Sequence, residues 1–191
     1  GKNTHYTNPG GGILCGSSAT IKYCTIRDNN ANHGGGIAIT SGSPVIDHCK
    51  IINNSCAISN NSHTGGGIHS TRAKPTISNT LIKGNSVVTY NGQSRGGGIF
   101  MTASSGNFDN NQMTITNCRI ENNNIFNTNY NFDLEGAGIY LHNGLLNMTN
   151  TLVINNGDAN TDEGGGIFIK SPTQYEQVEV NITNCTFIIC S

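Results

Sequence analysis

The amino-acid sequence predicts an all-β fold: a parallel β-helix of about six coils, each built from three short strands, with no helical cap evident. Three observations predict it. The tetrapeptide GGGI recurs five times and the variant GAGI once, ending at Ile13, Ile37, Ile68, Ile99, Ile139 and Ile167. A second motif, of the form I-x-N-[C/T]-x-[I/V/F]-x-x-N, follows every copy. Nowhere does the chain show the 3.6-residue apolar period of a helix.

Self-similarity of this kind marks stacked repeats. Successive isoleucines are 24, 31, 31, 40 and 28 residues apart, so a constant coil carries insertions of variable length. Within the second motif, Ile and Asn are two residues apart and share one strand face. Cys or Thr and the next apolar residue share a face in the same way. Asn and Cys/Thr are adjacent, yet both are assigned to the interior. The chain must therefore bend at the Asn, a residue that tolerates the left-handed conformation. GGGI supplies the third strand, and its glycines make the bend into it. One coil cannot bury its own apolar face. Stacking coils about 4.8 Å apart pairs their backbones and closes a continuous core.

The columns follow from this alignment. Ile13, Ile37, Ile68, Ile99, Ile139 and Ile167 form the first. Ile21, Ile46, Ile77, Ile115, Met148 and Ile182 form the second, and Ile26, Ile51, Ile82, Ile120, Val153 and Phe187 the third. A bend column runs through Tyr23, His48, Asn79, Asn117, Asn150 and Asn184, and an end column through Asn29, Asn54, Asn85, Asn123 and Asn156. Stacked amides hydrogen-bond along such columns. Cys24, Cys49, Cys118 and Cys185 share one inward position with Thr80 and Thr151 as small fillers. Seven cysteines permit disulfides but leave at least one thiol over. Residues 1–191 form one β-helix domain, with coils starting near 10, 34, 65, 96, 136 and 164. It is either a whole chain or a segment of a longer one.

GGGI followed by I-x-x-N resembles the repeats of polymorphic outer-membrane and autotransporter-type surface proteins. The I-x-N-C-x-I core resembles right-handed parallel β-helix proteins of the pectate-lyase-like superfamily. The resemblance spans about Gly10 to Cys190 and implies a right-handed β-helix. It also implies display on a cell surface or, in the enzymes of that superfamily, polysaccharide cleavage by carboxylates that hold Ca²⁺ beside a basic residue.

Composition narrows the function classes. The net charge is −1 and only 11% of residues are charged, so no global field attracts nucleic acid. No apolar run of about 18 residues exists, so no membrane-spanning helix is expected. The residue before each GGGI forms a column of Pro9, His33, Thr64, Arg95, Glu135 and Glu163. Arg95, Glu135 and Glu163, with Asp162 and Asp158 close by, make the candidate patch for a cation or a sugar. Its plainer reading is a solvated edge with a salt bridge. Calcium is the cofactor such a patch would take; no other cofactor is implied, and the histidines and cysteines lack metal-ligand spacing. No residue is assigned a catalytic role.

Insertions before GGGI, after Asn54, Asn85 and Asn123, are expected on one face. Phe126, Tyr130 and Phe132 lie in the longest and would stack on sugar rings or pack against the solenoid side. Asn53, Asn60 and Asn147 stand in N-x-[S/T] sequons as glycosylation acceptors, whereas Asn184 is expected to be hidden in the bend ladder. The apolar last stretch, CTFIICS, suggests that another copy stacks on the end. The leading expectation is an extracellular or cell-surface structural solenoid, a stalk, adhesin or filament subunit that assembles with itself end to end. The alternative is a polysaccharide-binding or polysaccharide-degrading protein.

Overall fold

The computed structural model describes residues 9–57, 62–103, 111–128, 132–158, 161, 163–171 and 177–190. Its strands wind into a right-handed parallel β-helix. The first sheet stacks Ile13–Cys15, Ile37–Ile39, Ile68–Thr71, Ile99–Thr102, Ile139–His142 and Ile167–Lys170. The second stacks Thr20–Lys22, Val45–Asp47, Thr76–Ser78, Gln112–Thr116, Gly144–Thr149 and Val178–Thr183. The third stacks Thr25–Arg27, Lys50–Ile52, Leu81–Lys83, Arg119–Glu121, Leu152–Ile154 and Thr186–Ile188. Every neighbouring pair in these sheets is parallel, and the three isoleucine columns lie in register. From Ile37 to Val153 the column residues are essentially inaccessible to water.

Three corners recur in every coil with a left-handed residue. The first glycine of GGG is one, with φ of 63° at Gly34 and 69° at Gly65. The bend column is the second: Tyr23, His48, Asn79, Asn117, Asn150 and Asn184 all have φ between 50° and 55°. The third lies just before the end column, at Asp28, Asn53, Gly84, Asn122, Asn155 and Ile189.

At the bend the expected side-chain direction needs correcting. Tyr23, His48, Asn79, Asn117, Asn150 and Asn184 are exposed, not interior. A left-handed residue at a corner throws its Cβ outward. The Ile two residues before it and the Cys or Thr after it take the inside instead. Along this column Asn117 donates a long 3.4 Å bond to Asn79. Asn184 is therefore not hidden in a ladder.

The end column is interior. Asn54, Asn85, Asn123 and Asn156 are fully buried. Asn85 Nδ2 donates to Asn123 Oδ1 at 3.0 Å and to Ile51 O at 2.9 Å. Its Oδ1 accepts from the backbone N–H and the Nδ2 of Asn54, at 2.9 and 3.0 Å. The same pattern joins Asn29 to Asn54 and Asn123 to Asn156.

This ladder accounts for the third glycine. A Cβ on Gly36 would stand 2.7 Å from Gly67 O and 3.0 Å from Asn54 Nδ2. A Cβ on the second glycine, Gly35, would stand 2.3 Å from Ser55 O. Ala137 shows the cost of breaking the rule. Gly11, Gly35 and Gly66 donate to the next coil's first glycine at 3.1 Å, but Gly97 and Ala137 make no such bond.

The insertions hold a feature the sequence did not announce. They form two further parallel sheets, Ser55–Cys56, Ser86–Thr89 and Asn124–Asn127, and His63–Thr64, Ser94–Arg95 and Leu134–Glu135. Between them Cys56, Val87, Ile125, Leu134 and Ala137 make a second small core. All seven cysteines are free thiols. Cys49 and Cys118 fill the inward position with Thr80 and Thr151, while Cys24, on the first coil, is exposed.

Candidate functional site: an outer arch of stacked rings

The tight GGG corner folds the residue before it back over the residue after the isoleucine. Thr64 and His69, five residues apart, meet with Oγ1 and Nδ1 2.8 Å apart. Repeated coil after coil, this creates an arch on the outer face of the first sheet. One wall is the column His33, Thr64, Arg95, Glu135 and Glu163, joined by parallel backbone pairing. The other wall is a column of rings.

His69, Phe100, Tyr140 and Phe168 stack one per coil, with centroid separations of 5.1, 5.1 and 5.5 Å. Phe100 and Tyr140 are only 7° from coplanar. The wall covers them so well that Tyr140 is 1% exposed although it points away from the core. Offset stacking of this kind adds about 1 kcal/mol per pair to simple burial. Arg95 lies over the Tyr140 ring, 5.2 Å from its centroid, and Lys170 Nζ lies 5.7 Å from that of Phe168.

The arch has a charged end and a neutral end. At the charged end, Arg95 Nε donates to Glu135 Oε2 and Lys170 Nζ to Glu135 Oε1, both at 2.6 Å. Burial would raise the Glu135 pKa, but Lys170 and Arg95 outweigh it and hold the carboxyl below its usual range. Burial pushes the Tyr140 hydroxyl up to about 12, Arg95 and Glu135 acting in opposite directions on it. At the neutral end, the Thr64 hydroxyl bridges His33 Nδ1 and His69 Nδ1, each at 2.8 Å. His63 Nδ1 lies 3.1 Å from Asn32 O. Burial, then the nearby His33, lowers His69 to about 3, and burial with His63 lowers His33. The His33 and His69 imidazoles are uncharged at neutral pH.

The structure places the candidate patch as follows. Arg95 and Glu135 are joined directly. Glu163 pairs with Glu135 through the backbone, and its side chain is exposed. Asp158 is elsewhere and accepts from Asn124 Nδ2 at 3.0 Å. Asp162, Tyr130 and Asn60 lie outside the described residues. Phe126 and Phe132 are exposed, at 39% and 36%, in the insertion region away from the ring stack. Asn53 is exposed on a left-handed corner, and Asn147 accepts from Asn181 Nδ2 at 3.0 Å. Among the described residues no three of His, Cys, Asp and Glu converge to hold a metal ion. The ring column and Lys170 went unread in the sequence. The signal was the letter after each GGGI: Leu14, Ala38, His69, Phe100, Tyr140 and Phe168.

A further charge site lies on the third sheet, with one cation from the preceding coil and one from the same strand. Glu121, nearly inaccessible, accepts from Lys83 Nζ at 2.8 Å and is paired with Arg119 Nε. Burial again raises its pKa, and the two cations prevail and lower it.

The chain matches no protein-family model, no curated protein and no solved structure. The arch and the ladders must be interpreted on their own chemistry.

Proposed function

We propose that this protein is an extracellular structural β-solenoid, a surface stalk, adhesin or filament subunit whose coils continue by end-to-end stacking. The observation that carries this reading is the use made of its polar groups. Glu135 and Glu121 each have both oxygens taken by two cations, and the buried asparagines of the end column are hydrogen-bonded to one another along the axis. A polysaccharide hydrolase needs a carboxyl able to give or take a proton near working pH. Glu135 and Glu121 are instead fixed in the ionised state as cross-coil clamps.

The coil geometry supports self-assembly: the three core columns run in register from coil to coil, Ile13 on Ile37, Ile21 on Ile46 and Ile26 on Ile51. Stacking Ile13, Ile21 and Ile26 of one copy on Ile167, Ile182 and Phe187 of another continues all three columns. A contact of this head-to-tail kind does not close and grows into a filament. The kinship with surface-displayed and pectate-lyase-like β-helices, and glycosylation at Asn53, Asn60 and Asn147, belong to the same proposal. Sedimentation velocity of the 191-residue chain at micromolar concentration tests it. Wild type is expected to form a ladder of oligomers that Phe187→Glu collapses to monomer. A monodisperse wild-type monomer would contradict it.

A further inference from the structure

The charges of this chain are sorted along its axis. Coils follow one another in sequence order, so the halves of the sequence are the halves of the rod. Residues 1–95, the first three coils, hold eight lysines and arginines against two acids, a net of +6. Residues 96–191, the last three coils, hold two against nine, a net of −7. The described residues alone give seven cations against two acids, then two against six. The overall charge of −1 therefore conceals a bipolar rod. One outward column of the second sheet carries both signs. Gln112 N donates to Ala73 O, which sets Gln112 beside Lys74; Gln112 pairs with Leu145, and Leu145 with Glu179. Lys74 and Glu179 are exposed, and Gln112 and Leu145 are half-buried. Three coil steps, about 14 Å, separate Lys74 from Glu179, too far for a direct bond within one copy. Among the described residues neither enters an ion pair; Glu179 accepts from Asn181 Nδ2 at 3.1 Å. Asp47 lies one coil outside these four rows and is already engaged by Ser78, Asn79 and His48.

We propose that this face binds a second copy of the chain, side by side and antiparallel, basic half against acidic half. The column is complementary to its own reverse. A two-fold axis along the strands, between the rows of Gln112 and Leu145, sets Lys74 of each copy opposite Glu179 of the other. Such a contact is isologous and closes as a dimer. The spacings match without adjustment, because both surfaces carry the same coil repeat of about 4.8 Å. Thr76 then faces Asn181 and Thr114 faces Asn147, hydroxyl against amide. The charged halves steer the same arrangement from further away, since parallel copies would set like charge beside like. At about 0.01 M salt the Debye length of about 30 Å spans the six coils, and at about 1 M it shrinks to about 3 Å. Four rows by three columns give a footprint of about 19 Å by about 20 Å, half of the about 800 Å² that a standard partner buries. The pair is therefore weak and salt-dependent, and it is separate from end-to-end stacking.

Zero-length carbodiimide cross-linking of the full 191-residue chain, as an equal mixture of isotope-labelled and unlabelled protein, tests it. A Lys74–Glu179 link between labelled and unlabelled copies is expected at about 0.01 M salt, falling at least about tenfold at about 1 M. End stacking cannot give this link: with coil 6 of one copy on coil 1 of the next, Glu179 and Lys74 are again three coils apart. On a Phe187→Glu background, chosen to block end stacking, Lys74→Glu is expected to abolish the dimer seen in sedimentation at low salt and submillimolar concentration. Adding Glu179→Lys, which restores complementarity, is expected to bring the dimer back. Far-UV circular dichroism confirms that each variant is folded. Absence of the inter-copy Lys74–Glu179 link, a link indifferent to salt, or a folded charge-swapped variant that stays monomeric would each overturn the proposal. Inter-copy links confined to Lys22 and Glu179 would overturn it as well, and would leave end stacking standing.

Discussion

Replacing Asn85 by alanine removes one rung from the middle of the buried amide ladder. Four hydrogen bonds go with it: two donated by Nδ2, to Ile51 O and Asn123 Oδ1, and two accepted from Asn54. All the partners left behind are shut away from water. At about 1 kcal/mol per bond the loss is about 4 kcal/mol, and orphaned buried groups push it upward. A typical domain holds only about 5–15 kcal/mol in total. With a urea m-value of about 2 kcal/mol/M, the midpoint falls by about 2 M. The control is Asn79→Gly on the exposed bend column, which keeps the left-handed corner and should stay within about 0.5 kcal/mol of wild type. Asn85→Asp sharpens the test. It preserves shape but turns two donors into acceptors facing Ile51 O and Asn123 Oδ1, and is expected to do at least as much damage as alanine. Urea unfolding followed by circular dichroism decides. An Asn85→Ala midpoint no lower than that of Asn79→Gly would refute the ladder as the axial clamp.

Three further outcomes follow from the same geometry. Gly36→Ala forces a Cβ to 2.7 Å from Gly67 O and should cost about 2 kcal/mol or more by overpacking. Gly16→Ala, where the nearest atom would be Thr40 Oγ1 at 3.5 Å, should be neutral or stabilising; equal thermal shifts for the two would count against the crowding argument. His69 is lowered from 6.5 to about 3, so its contribution is complete above pH 6.5 and is lost as pH falls toward 3. The slope approaches about 1.4 kcal/mol per pH unit in that window. Urea midpoints measured across it should flatten in His69→Phe, which keeps the stack, and an unchanged slope would assign the acid sensitivity elsewhere. Glu135→Gln leaves Arg95 and Lys170 without their shared counter-charge and should lose about 2 kcal/mol, between the values for exposed and buried pairs. Indifference to this change in a thermal melt would show that the clamp is ornamental.

Much of the coil was legible in the sequence because period two and a fixed register leave the isoleucines a single place to go. Ile37, Ile46 and Ile51 had to point inward on three separate strands, and they do. The bend at Asn79 was legible from amide chemistry. Its outward side chain was not, because the alternation rule holds within a strand and fails across a left-handed corner. The extra sheets were hidden for a different reason. Ser55–Cys56 or Ser94–Arg95 alone is two residues long, and becomes a strand only when its neighbours in adjacent coils supply partners. The arch was half legible. Arg95 and Glu135 emerged from the column before GGGI. Tyr140 did not, since an aromatic letter on a strand is read as core until the wall that buries it from outside is known.

The central claim is that this chain is one length of a solenoid that continues by stacking. Electron microscopy of the native material tests it most directly. The account predicts long unbranched rods of constant width, with an axial repeat in diffraction of about 4.8 Å from the stacked coils. Discrete globular particles with no axial order would contradict it.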